Sequence, residues 1–465
     1  MRMEGTPEDV FRRRTGVPVT GSTRRGQWGS QIGFILAAAG SAVGLGNIWR
    51  FPYMAGQNGG GAFLLVYLVC VALIALPVML LEISLGRATQ RNPVGAILAV
   101  APGSRWRYLG YLALLTGLAI LSYYSVIAGK VLTFCTLYIR RAVMGGAVTY
   151  SGATFEVVIY FAIFLVLTVL VVSGGVQRGI ERWTKILMPL LVVIMAAIIV
   201  RGLFLPGAMR GLRWFLTPDF SKITPRVVLN AMSQGFFSLS LGMGAMLTYG
   251  SYLSRKDNVL RCGVWVVVFD TLIAVMAGFM IFPAVFALGG DPAAGSTLIF
   301  QVLPKVFGAM EGGGLIAIVF FLLLCVAALT STVSLLEVVT AYFVDERGWS
   351  RTRTVWSVGG AALIVGIPSA LSLAEIRPWD TLVLFGKTGF LSVMDFVWGN
   401  LSLAIGSLLL CLFAITRWRL ARAAAEIEEG APAFAPFKGV WTFFVRWVCP
   451  ISIAVILATK VFSLG

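Results

Sequence analysis

The chain has 465 residues, 58% of them hydrophobic and only 12% charged, about half the charge of a soluble domain. Its mean hydropathy is +0.89, and apolar stretches of about 20 residues recur throughout, the pattern of an all-α membrane protein. The net charge of +17 sits in short clusters between those stretches, which is an orientation signal rather than a nucleic-acid surface.

With no histidine in the chain, imidazole catalysis and histidine metal sites are excluded. The six cysteines lie in or beside apolar runs without metal spacing and read as packing residues. No Gly-x-Ser-x-Gly elbow occurs, so an enzyme is not expected.

The polar, Arg-rich residues 1–26 lack the apolar core of a signal peptide and read as a cytoplasmic tail. Eleven spans follow, at about 28–57, 61–86, 108–138, 155–173, 180–201, 227–253, 259–288, 314–345, 354–373, 389–416 and 440–462. Basic residues on the side of the N-terminal tail outnumber those on the other, which predicts N-in and C-out. The loop 202–226 opposes that bias. It carries Trp214, Pro218 and Pro225 and is expected to fold on the outer surface.

Two spans differ from the rest. Span 1 contains Gly40-Ser41-Ala42-Val43-Gly44-Leu45-Gly46-Asn47, and span 6 contains Ser238-Leu239-Ser240-Leu241-Gly242-Met243-Gly244. Small and polar residues crowd the middle of otherwise apolar helices, five spans apart. Interrupted helices at matching positions of two halves point to a transporter with inverted repeats and a mid-membrane site. The organisation expected is a five-helix repeat over 27–201, an outer loop over 202–226, a second repeat over 227–416, and a cytoplasmic linker with the eleventh helix over 417–465. Gly40-x-x-x-Gly44 also fits close helix packing, but packing leaves Asn47, Ser238 and Ser240 unexplained. Freed carbonyls at such breaks can ligate a hard cation, and freed amides can receive an anionic group.

The runs Trp28 to Gly61, Gln234 to Tyr252 and Ala327 to Glu346 resemble the first, sixth and eighth spans of the neurotransmitter:sodium symporter family, in its bacterial eleven-span branch. The resemblance implies an importer of hydrophobic or aromatic amino acids, driven by two sodium ions and needing no organic cofactor. It implies one sodium among Ala42, Asn47, Ser238 and Asp270, and a second among Gly40, Val43, Ala327, Thr330 and Ser331. The solute carboxylate would meet Leu45, Gly46 and Tyr124. Its amino group would meet carbonyls of Ala42, Phe237 and Ser238. Ser240 belongs to the same solute site. The side chain would face Ile120, Phe237, Met243, Thr332 and Leu335. Gly44 stands where amine-transporting members carry an aspartate, so an amino acid with its own carboxylate is expected.

By the same resemblance, Arg50 and Asp395 form an outer gate, and Arg25, Trp28, Tyr252 and Asp345 form an inner one. Glu82 and Glu337 are expected in packing and gating networks. Gly179 and Pro189 match the spacing at which relatives unwind span 5. Asp270 replaces a common asparagine. Tyr67, Gln234 and Ser238 match parts of a chloride site whose serine is here Ala274. A fixed carboxylate at Asp270 then implies chloride-independent transport, with proton exchange at Asp270 on the return step. Lys130 has no assigned role. A monomer or weak dimer in the lipid bilayer is expected; a channel and a transporter-fold sensor are the other readings.

Overall fold

The computed structural model describes residues 27–145, 150–293, 300, 303–308 and 312–462. The tail 1–26, with Arg25 of the expected inner gate, lies outside them. Hydrocarbon offers a peptide group no hydrogen bond, so the apolar runs fold as helices that satisfy their own backbone. Among the described residues, nine continuous helices are long and apolar enough to span a membrane. A tenth candidate is a bent pair, α1 (Gln31–Ala42) and α2 (Gly46–Gln57), meeting at 50°.

The chain continues through α3 (Gly61–Thr89), α4 (Arg107–Met144), α5 (Thr154–Ser173) and α6 (Val176–Leu203). Two shorter helices, α7 (Pro225–Ser238) and α8 (Ala245–Gly250), flank the second break. Then come α9 (Val259–Ala287), α10 (Gly313–Arg347), α11 (Arg351–Leu373), α12 (Phe390–Trp418) and α13 (Pro432–Lys460). A two-residue antiparallel hairpin, Val383–Leu384 with Lys387–Thr388, precedes α12.

Most helix ends fall close to the spans read from sequence. The largest differences are at α4, which runs on to Met144, and α13, which starts at Pro432. Both extensions are partly polar and exposed (Arg140 and Arg141 in α4), so hydropathy alone cuts them off.

Burial ranks the helices. The most apolar stretch of α4 is 83% buried, against 33% for α6 and α13. Therefore α4 is a central post and α6 and α13 are peripheral. The segment 202–226 packs against α9. Its helix Ala208–Leu216 buries Phe215 completely, and Trp214 sits 5.0 Å from the Phe282 ring of α9.

Arg87, near the end of α3, is fully buried and pairs with Glu426 at 2.7 Å. It also donates to the carbonyls of Asp257, Glu426 and Glu429. This one guanidinium ties α3 to the turn before α9 and to the helix Leu420–Glu428. Removing one member of such a pair leaves an uncompensated buried charge, at a cost of about 3–5 kcal/mol.

Candidate functional site

The first break opens because Val43 leaves helical geometry (φ −72°, ψ 111°). The chain re-enters a helix through a π-helical turn over Gly46–Arg50, a form often found at functional sites. The second break spans 239–244. Ser240, Gly242 and Gly244 all have positive φ, at 54°, 83° and 75°, a region that glycine enters at little cost. At Gly242 a Cβ would also lie 2.1 Å from the Leu403 carbonyl. Glu82 of α3 accepts the freed amide of Gly242 at 2.7 Å, so its expected packing role is the capping of this break.

Asn47, Ser238 and Asp270 meet where the two breaks face each other. Asn47 Nδ2 donates to Ser238 Oγ at 3.0 Å, to the Asp270 carbonyl at 3.0 Å and to Asp270 Oδ1 at 2.7 Å. Ser238 Oγ lies 2.8 and 2.9 Å from the two Asp270 carboxylate oxygens, and Tyr67 donates to Oδ2 at 3.2 Å. Asn47 and Asp270 are fully buried. Gln234, matched to the chloride site, instead donates to the Gly46 carbonyl at 2.9 Å. A buried cluster of side-chain and main-chain oxygens suits a small hard cation.

The second expected sodium group also converges. Thr330 Oγ1 lies 3.5 Å from the Val43 carbonyl and 3.0 Å from that of Ala327. Ser331 Oγ lies 3.4 Å from each of the same two carbonyls. Gly40 faces Thr330 so closely that a Cβ would sit 3.3 Å from its side chain.

Between these groups lies a pocket of about 30 Å³. Its lining includes Ala42, Gly46, Ile120, Tyr124, Phe237, Ser240, Met243 and Leu335, all expected from the sequence. Tyr124 accepts from the Leu45 amide at 2.9 Å. Ser240 donates to the Ser41 carbonyl at 3.1 Å. Thr332 is a correction: its hydroxyl pairs with Thr168 of α5 at 2.8 Å and with the Leu329 carbonyl. It lies on the far face of α10, one residue round from Ser331, which lines the pocket along with Leu403. The space above Gly44 is filled rather than open. A Cβ there would meet Ser331 Oγ at 2.4 Å and the Tyr124 hydroxyl at 2.7 Å.

The two residue groups expected to form gates differ in packing among the described residues. On one side, Trp28 seals against α8: its indole donates to the Tyr249 carbonyl at 3.0 Å, and its amide donates to the Tyr252 carbonyl at 3.2 Å. Tyr252 donates to Glu337 at 2.6 Å, and Glu337 pairs with Arg351. Asp345 accepts from Asn92 at 3.2 Å.

On the other side a vestibule of about 1140 Å³ reaches Leu45, Gly46, Tyr124 and Phe237. Arg50 and Asp395 both line it but do not pair. Arg50 donates to Asn400 Oδ1 at 2.8 Å and lies 4.2 Å above the Phe237 ring, while Asp395 accepts from Tyr123 at 3.1 Å. The expected ion pair is therefore open here. Lys130 lines the same vestibule, 5.0 Å from the Phe300 ring and 5.2 Å from that of Tyr150.

Sequence reasoning missed Asn400, because five residues after Asp395 is off-face in an α-helix. A π-helical stretch over Asp395–Ser402 brings the two together, and Asn400 donates to the Asp395 carbonyl at 3.0 Å. It also missed Glu181 of α6, which accepts from the Gly29 amide at 2.7 Å and so fastens the start of α1.

A family model, the sodium:neurotransmitter symporter family, matches residues 25–147 and 138–464. An uncharacterized sodium-dependent transporter of Bacillus subtilis, YhdH, is 37% identical over 92% of this chain and 96% of its own. An uncharacterized sodium-dependent transporter of Haemophilus influenzae is 34% identical over 95% of this chain and 100% of its own. The crystal structure of MhsT in complex with L-phenylalanine superposes with a TM-score of 0.85 at 41% identity, covering 94% of this chain and all of that one. The chain belongs to the sodium:neurotransmitter symporter family and is a sodium-dependent membrane transporter, not an enzyme.

Proposed function

We propose that this protein imports hydrophobic or aromatic L-amino acids with two sodium ions by alternating access, independently of chloride. The observation that carries the reading is the convergence of two broken helices on one small pocket, with a cluster of oxygens on either side of it. The phenylalanine in the MhsT complex supports the solute class, as does the apolar lining by Ile120, Met243 and Leu335. A pocket of about 30 Å³ must widen to take a side chain, and Phe237 and Met243 are among the side chains that line it. Apolar pockets separate single methylenes by only about 1–3 kcal/mol, so several amino acids should be accepted.

In this reading the vestibule faces outside and the Trp28 side faces the cytoplasm of a bacterium, with the N-terminus in and the C-terminus out. Solute binding draws Arg50 to Asp395, and the inner seal then opens. Counting 225–250 as one interrupted span gives eleven spans, arranged as two inverted five-helix repeats with the helix α13 added. Two sodium ions, each moved by about 100 mV and a tenfold gradient, supply roughly 7 kcal/mol.

Asp270 supports chloride independence, because its carboxylate already lies beside Ser238 and Tyr67 and supplies a fixed negative charge. In proteoliposomes, a panel of twenty amino acids with and without a sodium gradient tests the reading. Uptake of apolar solutes with sodium, unchanged when gluconate replaces chloride, supports it. Binding without any uptake would favour a sensor, and non-saturating flux would favour a channel.

A further inference from the structure

Of the cations that line the vestibule with Arg50 (Lys130, Arg226, Lys387 and Lys460), Lys460 shares its hydrogen-bond acceptor. Lys460, at the end of α13, donates to Ser233 Oγ at 2.8 Å and to Asn400 Oδ1 at 2.9 Å. Arg50 Nη2 donates to that same Asn400 oxygen at 2.8 Å. Through their shared acceptor the two positive charges stand within about 6 Å of each other, where like charges repel even in a polar medium. The other Arg50 terminal nitrogen, Nη1, is buried without a partner. The nearby carboxylate is held by neutral groups: Tyr123 on one oxygen and the Asn400 amide, at 3.3 Å, on the other.

We propose that Lys460 is a third member of the outer gate, a positioning residue that drives Arg50 from Asn400 to Asp395 as the gate closes. This rests on the outer-gate reading above and adds α13 to it. Two effects act in one direction. With the gate open, Lys460 repels Arg50 across their common acceptor. Once Arg50 reaches Asp395, its charge is neutralised, and Lys460 alone still satisfies the Asn400 oxygen. Arg50 can therefore leave with a protein donor still in place on the half-buried Asn400 oxygen. Lys460 thus destabilises the open state and makes closure easier, from a helix that touches neither the solute pocket nor the sodium groups.

The test uses the full chain in lipid nanodiscs with one added thiol, Ile127→Cys, on the vestibule wall. The rate of labelling by a neutral maleimide is measured above the background of the same chain without that substitution. A neutral reagent keeps the charge change at position 460 from altering its local concentration. With sodium and L-phenylalanine, the Lys460-containing chain is expected to be protected. Lys460→Gln and Lys460→Met both remove the charge, and each is expected to cut that protection by at least about fivefold, the low end of ordinary coupling. Their labelling with sodium alone should stay unchanged, and Lys460→Arg should restore protection. Full protection in either uncharged variant overturns the proposal. Absence of sodium-dependent protection in the Lys460-containing chain would overturn the transport reading itself, a distinguishable failure.

Discussion

Asn47 of the first break and Asp270 of α9 are joined twice, from one amide nitrogen to the carboxylate at 2.7 Å and to the carbonyl at 3.0 Å. This contact ties the turn after the first break to α9. Asn47→Ala removes a side chain that links both breaks. It is predicted to raise the sodium concentration needed for half-maximal uptake by at least about tenfold, since a hydrogen bond to a charged group is worth about 1.5–3 kcal/mol. Uptake measured against sodium concentration checks this.

Asp270→Asn keeps the shape of that side chain and removes its charge. If the carboxylate stands in for an anion, the variant should become stimulated by chloride, while the parent is indifferent to it. Paired uptake assays in chloride and gluconate read the difference.

Gly44 faces Ser331 and Tyr124 at separations no Cβ tolerates. Gly44→Ala must displace the tyrosine hydroxyl that accepts from the Leu45 amide. Overpacking of this kind costs typically about 1–3 kcal/mol. Affinity for L-phenylalanine should fall by about tenfold or more, with a smaller change in melting temperature. Calorimetric titration beside a thermal melt separates the two effects.

Ser331→Ala removes a hydroxyl that lies near the Val43 and Ala327 carbonyls. It is predicted to weaken sodium dependence, whereas Thr332→Val is not. Thr332 faces Thr168, so its loss should register in stability alone. This pair of variants checks which face of α10 serves the ion.

The outline of the fold was legible because apolar runs of spanning length can only be helices. The breaks were legible because small and polar residues interrupt two such runs. What the residue pattern hid was local geometry. Ser331 and Thr332 are neighbours of similar chemistry, and only the rotation of α10 decides which one sees the pocket. Asn400 joins Asp395 through a π-helical turn that no hydropathy period reveals. Glu181 and Arg87 make their contacts across the sequence, and burial of a charge is not visible until its partner is known. The separation of Arg50 and Asp395 was equally hidden, since they have the same identities whether paired or apart.

The central claim is that sodium and solute share one site built from two broken helices, so their binding must be linked. The direct measurement is the dissociation constant of L-phenylalanine for the purified protein across a series of sodium concentrations at constant ionic strength. The account predicts an affinity that rises steeply with sodium, with a logarithmic slope approaching about two where both ions bind with the solute. An affinity independent of sodium would contradict it.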